Sequence, residues 1–146
     1  MPNITGSFSG RVNVQASFSL RDQPNHELQT VEIAGVQRSP DPGWHDSRMV
    51  YWSTADIHSG HGVERGYFVN ERAGGDRDWG TFEGTLEATG TAVTTEGTFT
   101  FTGGSGKFNG ITGNGTYRGR MTSPAQVDVE WKGAYQLAGA RTSGAA

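Results

Sequence analysis

The chain has 146 residues, a formal net charge of −3, 33% hydrophobic residues, 23 glycines and no cysteine. That size and apolar content fit one domain with a modest core. The missing cysteines exclude disulfides, thiolate metal sites and a cysteine nucleophile, and the mixed charges, with no like-charge block, argue against nucleic acid or an acidic membrane surface as partner.

Valines and aromatics are spread evenly among the glycines, the pattern of many short strands that turn often, not of a helical bundle or a disordered chain. The opening MPNITGSFSG lacks the basic and apolar regions of a secretory leader, and no run of about 18 apolar residues occurs. The expectation is a soluble, cytoplasmic protein with no membrane partner.

The first strand is the clearest. Ile4, Phe8, Val12, Val14, Ala16, Phe18 and Leu20 are all even-numbered, with Gly6 and Gly10 in the same register and polar residues between them. One face is predicted apolar and one wet, on a strand long enough to suit a tilted barrel. RDQPNH (21–26) turns the chain into a second strand around Glu27–Gln37. A long loop, 38–46, follows, with Pro40, Pro42 and Gly43. It contains Trp44 and His45 and is a candidate lid or a passive connection.

A third strand near Arg48–Ile57 and a fourth near Val63–Glu71 are apolar on both parities, which leaves their facing open and predicts a covered outer face. A second subunit is the simplest cover, so a homo-oligomer, dimer or trimer, is expected. AGGDR (73–77) leads to a fifth strand, Asp78–Ala88, with Phe82 and Leu86 inward. The sixth covers Val93–Phe101, the seventh Gly110–Met121, and the eighth begins at Val127 and carries Val129, Trp131, Tyr135 and Leu137. Residues 1–138 are predicted as a single domain and 139–146 as a flexible tail.

Eight strands with short connections predict an all-β, antiparallel up-and-down barrel, since closure removes exposed edges; a sandwich is the alternative. Glycines share the apolar parity at Gly6, Gly10, Gly97, Gly113, Gly115, Gly119 and Gly133. They either allow close packing or leave an internal cavity.

Several side chains are candidates for chemistry. Asp78 shares parity with Phe82 and Leu86 and is predicted to point inward near one rim, where apolar surroundings would raise its pKa; the alternative is a wet acid or one paired with Arg77 or another base. Arg65 and Tyr67 share a parity, and an inward Arg65 would meet a carboxylate or enolate oxygen. Asp78, Tyr67 and Arg65 are therefore the candidate catalytic residues. Phe18, Tyr51, Phe82, Phe99, Tyr117, Trp131 and Tyr135 are the candidate ligand-binding residues, their rings giving area and their polar tips orientation. His58 and His61 lie in one turn, at the same barrel end as His26, but without a third fixed ligand no metal is expected. GGSGK lacks the spacing of a phosphate loop, no GxSxG occurs, and no cofactor is predicted.

The stretch Phe99–Met121, FTFTGGSGKFNGITGNGTYRGRM, resembles the allene oxide cyclase and dirigent barrel superfamily. In those proteins a strand runs into a GGTGxF turn and then xGxxGxG; here the matching residues are Gly103, Gly104, Ser105, Gly106, Phe108, Gly110, Gly113 and Gly115. Bacterial spirotetronate-type barrel cyclases carry a similar turn. The resemblance covers roughly 25 residues, with GTFEGT (80–85) in the strand before. It implies a calycin-type eight-stranded barrel with a mostly apolar cavity, often assembled as a dimer or trimer, acting on hydrophobic, reactive substrates. The plant cyclases place an inward glutamate on an early strand; the first strand here has none, and no catalytic residue is carried over.

Three functions remain open at this point. The barrel is a cofactor-independent cyclase or isomerase of a hydrophobic conjugated molecule, a non-catalytic carrier of such a molecule, or a structural oligomeric module with a filled interior. An inward polar group beside an open cavity favours the first, a wholly apolar cavity the second, and no cavity the third.

Overall fold

The structure, a computed structural model, describes residues 1–138 apart from the Thr122 side chain. The tail expected over 139–146 lies outside the described residues. Eight strands follow in order: β1 (Asn3–Ser19), β2 (His26–Arg38), β3 (Arg48–His58), β4 (His61–Glu71), β5 (Arg77–Thr89), β6 (Ala92–Ser105), β7 (Thr112–Ser123) and β8 (Gln126–Gln136). Each pairs antiparallel with the next, and β1 pairs with β8, so the sheet closes into an up-and-down barrel. Among the described residues no helix is long and apolar enough to cross a membrane.

The tight connections follow their residues. The β3–β4 hairpin turns through Ser59 and Gly60, both at positive φ (51° and 83°), the two-residue geometry that matches strand twist. The connection after β6 is a short 3-10 turn, Gly106–Phe108, whose Phe108 ring is buried. A bulge lies just before this turn, where β5–β6 pairing shifts between Trp79 and Gly80.

A second bulge changes the reading of β1. Pairing with β2 runs Val12↔Ile33, then Val14↔Glu32 and Gln15↔Val31, so one residue is skipped. An extra residue reverses the facing of everything beyond it. Ile4, Phe8 and Val12 point inward as predicted, but Val14 and Phe18 turn out, and Phe18 is 61% exposed.

The interior is filled from one end. Strand alternation puts residues 39–47, the β4–β5 turn and the 3-10 turn at the same end of the barrel. There Trp44 is 1% exposed and packs against Phe101, Phe108 and Tyr135 at ring separations of 6.0, 5.3 and 4.8 Å. Ile4, Phe8, Met49, Phe68, Phe99 and Ile111 belong to the same core. Inward glycines give the rings their room: a Cβ on Gly6 would stand 2.3 Å from Trp131, and one on Gly80 2.6 Å from Phe68. The long loop is thus a fixed floor.

Candidate functional site

Above this floor the barrel is open. A cavity of about 1210 Å³ runs from Trp44, Phe101 and Trp131 up to a mouth at Ser19, Asn25, Gly60, Gly90 and Pro124. Of the alternatives left open by the sequence, the filled interior does not match this cavity. The glycines serve both predicted purposes, close ring packing below and free volume above.

Aromatic rings wall the middle of the cavity. Tyr51 and Phe82 meet edge-to-face at 5.5 Å, Phe82 and Tyr117 at 5.7 Å, and Phe99 and Trp131 at 6.1 Å. These five are candidate ligand-binding residues, and all line the cavity. Tyr135 does not: it packs under Trp44 and its hydroxyl donates to Asp41 at 3.3 Å, because it lies at the closed end of β8. Phe18 is excluded by the β1 bulge.

The buried acid that faces this space is Glu64. On β4, Glu64, Phe68 and Asn70 point inward, while Arg65 and Tyr67 point to solvent, Tyr67 at 66% exposure. The facing left open by the sequence is thus outward for Arg65 and Tyr67, away from the cavity. Glu64 is 8% exposed, and desolvation pushes its pKa up to about 7, with the Tyr117 hydroxyl pulling the other way. Burial and the Glu64 charge in turn raise the pKa of the Tyr117 and Tyr51 hydroxyls. Neither Glu64 Oε1 nor the Tyr117 hydroxyl completes a hydrogen bond of normal geometry. A buried carboxyl near pKa 7 can take or give a proton at neutral pH, and a neutral phenol can donate to a developing oxyanion.

Asp78 points inward as predicted, at 0% exposure, but it serves the floor. Arg72 Nη1 stands 2.5 Å from its Oδ2, and Asn70 Nδ2 donates to its Oδ1 at 3.0 Å. Burial raises its pKa, and Arg72 and Asn70 oppose that rise. Asn70 in turn accepts from Gln37 (3.1 Å), and Gln37 accepts from Trp131 Nε1 (2.9 Å). Arg72 also lies 3.8 Å over the Phe108 ring and donates to the Gly43 carbonyl at 2.7 Å, pinning the loop. Asp78 is a paired structural acid behind Asn70 and does not line the cavity.

Hydrophobic alternation concealed Glu64. The outward parity of β4 carries Val63, Tyr67 and Val69, and the inward parity carries Gly62, Glu64 and Gly66. The usable signal was the glycines, which share the inward parity on β1, β6 and β7 as well. No family model matches the chain, and no curated protein matches it.

Proposed function

We propose that this barrel binds a hydrophobic, conjugated small molecule and promotes its cyclisation or isomerisation. The observation that carries the reading is Glu64, a buried acid with a pKa near 7 beside the Tyr117 hydroxyl, facing an open aromatic cavity. The rings would restrict the substrate to a reactive shape, Glu64 would exchange a proton with a carbon next to a carbonyl, and Tyr117 would donate to the resulting enolate oxygen. The likeness of residues 99–121 to allene oxide cyclase-like barrels agrees with this reading, and membership of that superfamily is part of the proposal. So is self-association: Trp52, Val63, Tyr67 and Trp79 are exposed on the outer face of β3, β4 and β5, where a second copy would cover them.

The test is native mass spectrometry of freshly purified protein, with mild dissociation to release and identify a bound molecule. Conjugated carbonyl compounds of that class are then assayed with Glu64→Gln and Tyr117→Phe. A loss of roughly 10²-fold or more in turnover by Glu64→Gln, with binding retained, supports the proposal. Equal turnover in Glu64→Gln overturns the catalytic role. Binding without any conversion leaves a carrier.

A further inference from the structure

At the cavity mouth, on the opposite end from Trp44, three side chains converge that the cavity chemistry does not use. His26 opens β2, and Asp56 and His58 end β3. The register pairs His26 directly with His58 and sets Asp56 two residues back on the same face. A two-stranded ribbon brings such a trio within reach of one point, because alternate residues share a face and cross-strand neighbours stand about 5 Å apart. The ligand atoms of all three lie within 4.8 Å of one another.

The His26 and His58 rings stack at 3.8 Å and 18°, with both Nε2 atoms near the same oxygen, Asp56 Oδ1, at 2.6 and 3.4 Å; a shared cation requires the exposed His58 ring to turn out of the stack so that both nitrogens aim at one point. Those spacings bracket the edge of about 3.3 Å that joins ligands in a tetrahedral site with bonds of 2.0–2.1 Å. The other nitrogen of His26, Nδ1, meets the Asp22 carboxylate at 2.7 Å. A carboxylate there fixes the tautomer that directs Nε2 to a cation, the outer support that metal-bound histidines have. His26 is itself buried, although it stands at the rim. His61 is not part of the group, since it pairs with Glu87. The sequence predicted no metal for want of a third ligand, and Asp56, which alternation alone could not assign, supplies it.

We propose that His26, Asp56 and His58 form a binding site for a first-row divalent cation of the zinc type, oriented by Asp22. Two imidazoles and one carboxylate suit Zn²⁺, Co²⁺ or Ni²⁺ better than Mg²⁺ or Ca²⁺, which prefer oxygen alone. A bound cation replaces the proton shared between His26 and Asp56 and ties the β1–β2 turn to β3 at the cavity mouth. This site stands independently of the reaction proposed for Glu64.

The test is calorimetric titration of tag-free protein with Zn²⁺, and Co²⁺ titration followed by visible absorption. Wild-type protein is expected to bind one Zn²⁺ per chain and to give the d–d bands of a low-coordinate Co²⁺ site. His58→Gln and Asp56→Asn, at side chains that are about half exposed, should each weaken Zn²⁺ binding at least tenfold and abolish the Co²⁺ bands, with the folded state of each variant checked by circular dichroism. Asp22→Asn should weaken it roughly tenfold through His26, and His45→Gln, at the opposite end, should change nothing. No saturable Zn²⁺ binding below millimolar concentration, or equal binding by His58→Gln, would overturn the proposal.

Discussion

The Glu64 carboxyl and the Tyr117 hydroxyl approach each other inside the barrel because two glycines stand between them in the sheet. The cross-strand row runs Glu64↔Gly84 from β4 to β5, Gly84↔Gly97 to β6, and Gly97↔Tyr117 to β7. With no side chain on the two middle strands, the tyrosine lies back over them, and its hydroxyl is 2.6 Å from where a Gly84 Cβ would be.

Gly84→Ala should therefore damage both the fold and the pair. The added Cβ would also stand 2.1 Å from the Glu96 carbonyl, which is backbone and cannot swing away. We expect a loss of about 1–3 kcal/mol in urea unfolding, together with displacement of Tyr117 seen as a changed tyrosine ring signal by NMR. Wild-type stability in this variant would contradict the row as described.

Glu64 gives a pH dependence of defined sign. Its folded pKa, about 7, lies above its ordinary value of 4.5. Below about pH 4.5 folded and unfolded chains both hold the proton and the group costs nothing. As pH rises from there to about 7 the unfolded chain ionises first, so stability falls, and above 7 the deficit is constant. At 1.36 kcal/mol per unit the full deficit is about 3 kcal/mol. Glu64→Gln should be more stable than wild type above pH 7 by up to that amount and indistinguishable from it near pH 4. Denaturant unfolding across pH 4–8 measures the difference, and a pH-independent difference would remove Glu64 as its source.

Asp78→Asn should destabilise by about 3–5 kcal/mol, because it leaves the largely buried Arg72 without its counter-charge. Adding Arg72→Met should recover much of the loss. Affinity for an apolar fluorescent probe should remain within twofold in the double variant, since Asp78 does not line the cavity. A large change in probe affinity with unchanged stability would return Asp78 to the binding site.

The outward facing of β4 has a direct check. Tyr67→Ser should leave probe affinity within twofold. Leu86→Trp, which adds ring volume inside the cavity wall, should weaken it by roughly tenfold, about 1.4 kcal/mol. A loss of probe affinity in Tyr67→Ser as large as that in Leu86→Trp would mean that β4 presents its other face.

Trp44→Ala removes the largest side chain of the floor and should cost about 3–5 kcal/mol. Thermal unfolding of this variant tests whether the loop is structural.

Alternation and glycine-rich turns were enough to specify the barrel, its eight strands and the inward facing of Phe82, Phe99 and Trp131. Those features are local: a period of two and a turn residue are written in a few consecutive positions. Three decisions were not local. Phe18 is outside because a bulge near Asn13 reverses β1, and a bulge is set by pairing with β2. Glu64 is inside because barrel closure fixes the face of β4, although the apolar residues favour the other face. His26 and Asp56, thirty residues apart, meet because the β2–β3 register places them together. Periodicity reports how one strand alternates; which side becomes the interior, and which distant residues share it, is decided only when neighbouring strands fix the register and the sheet closes.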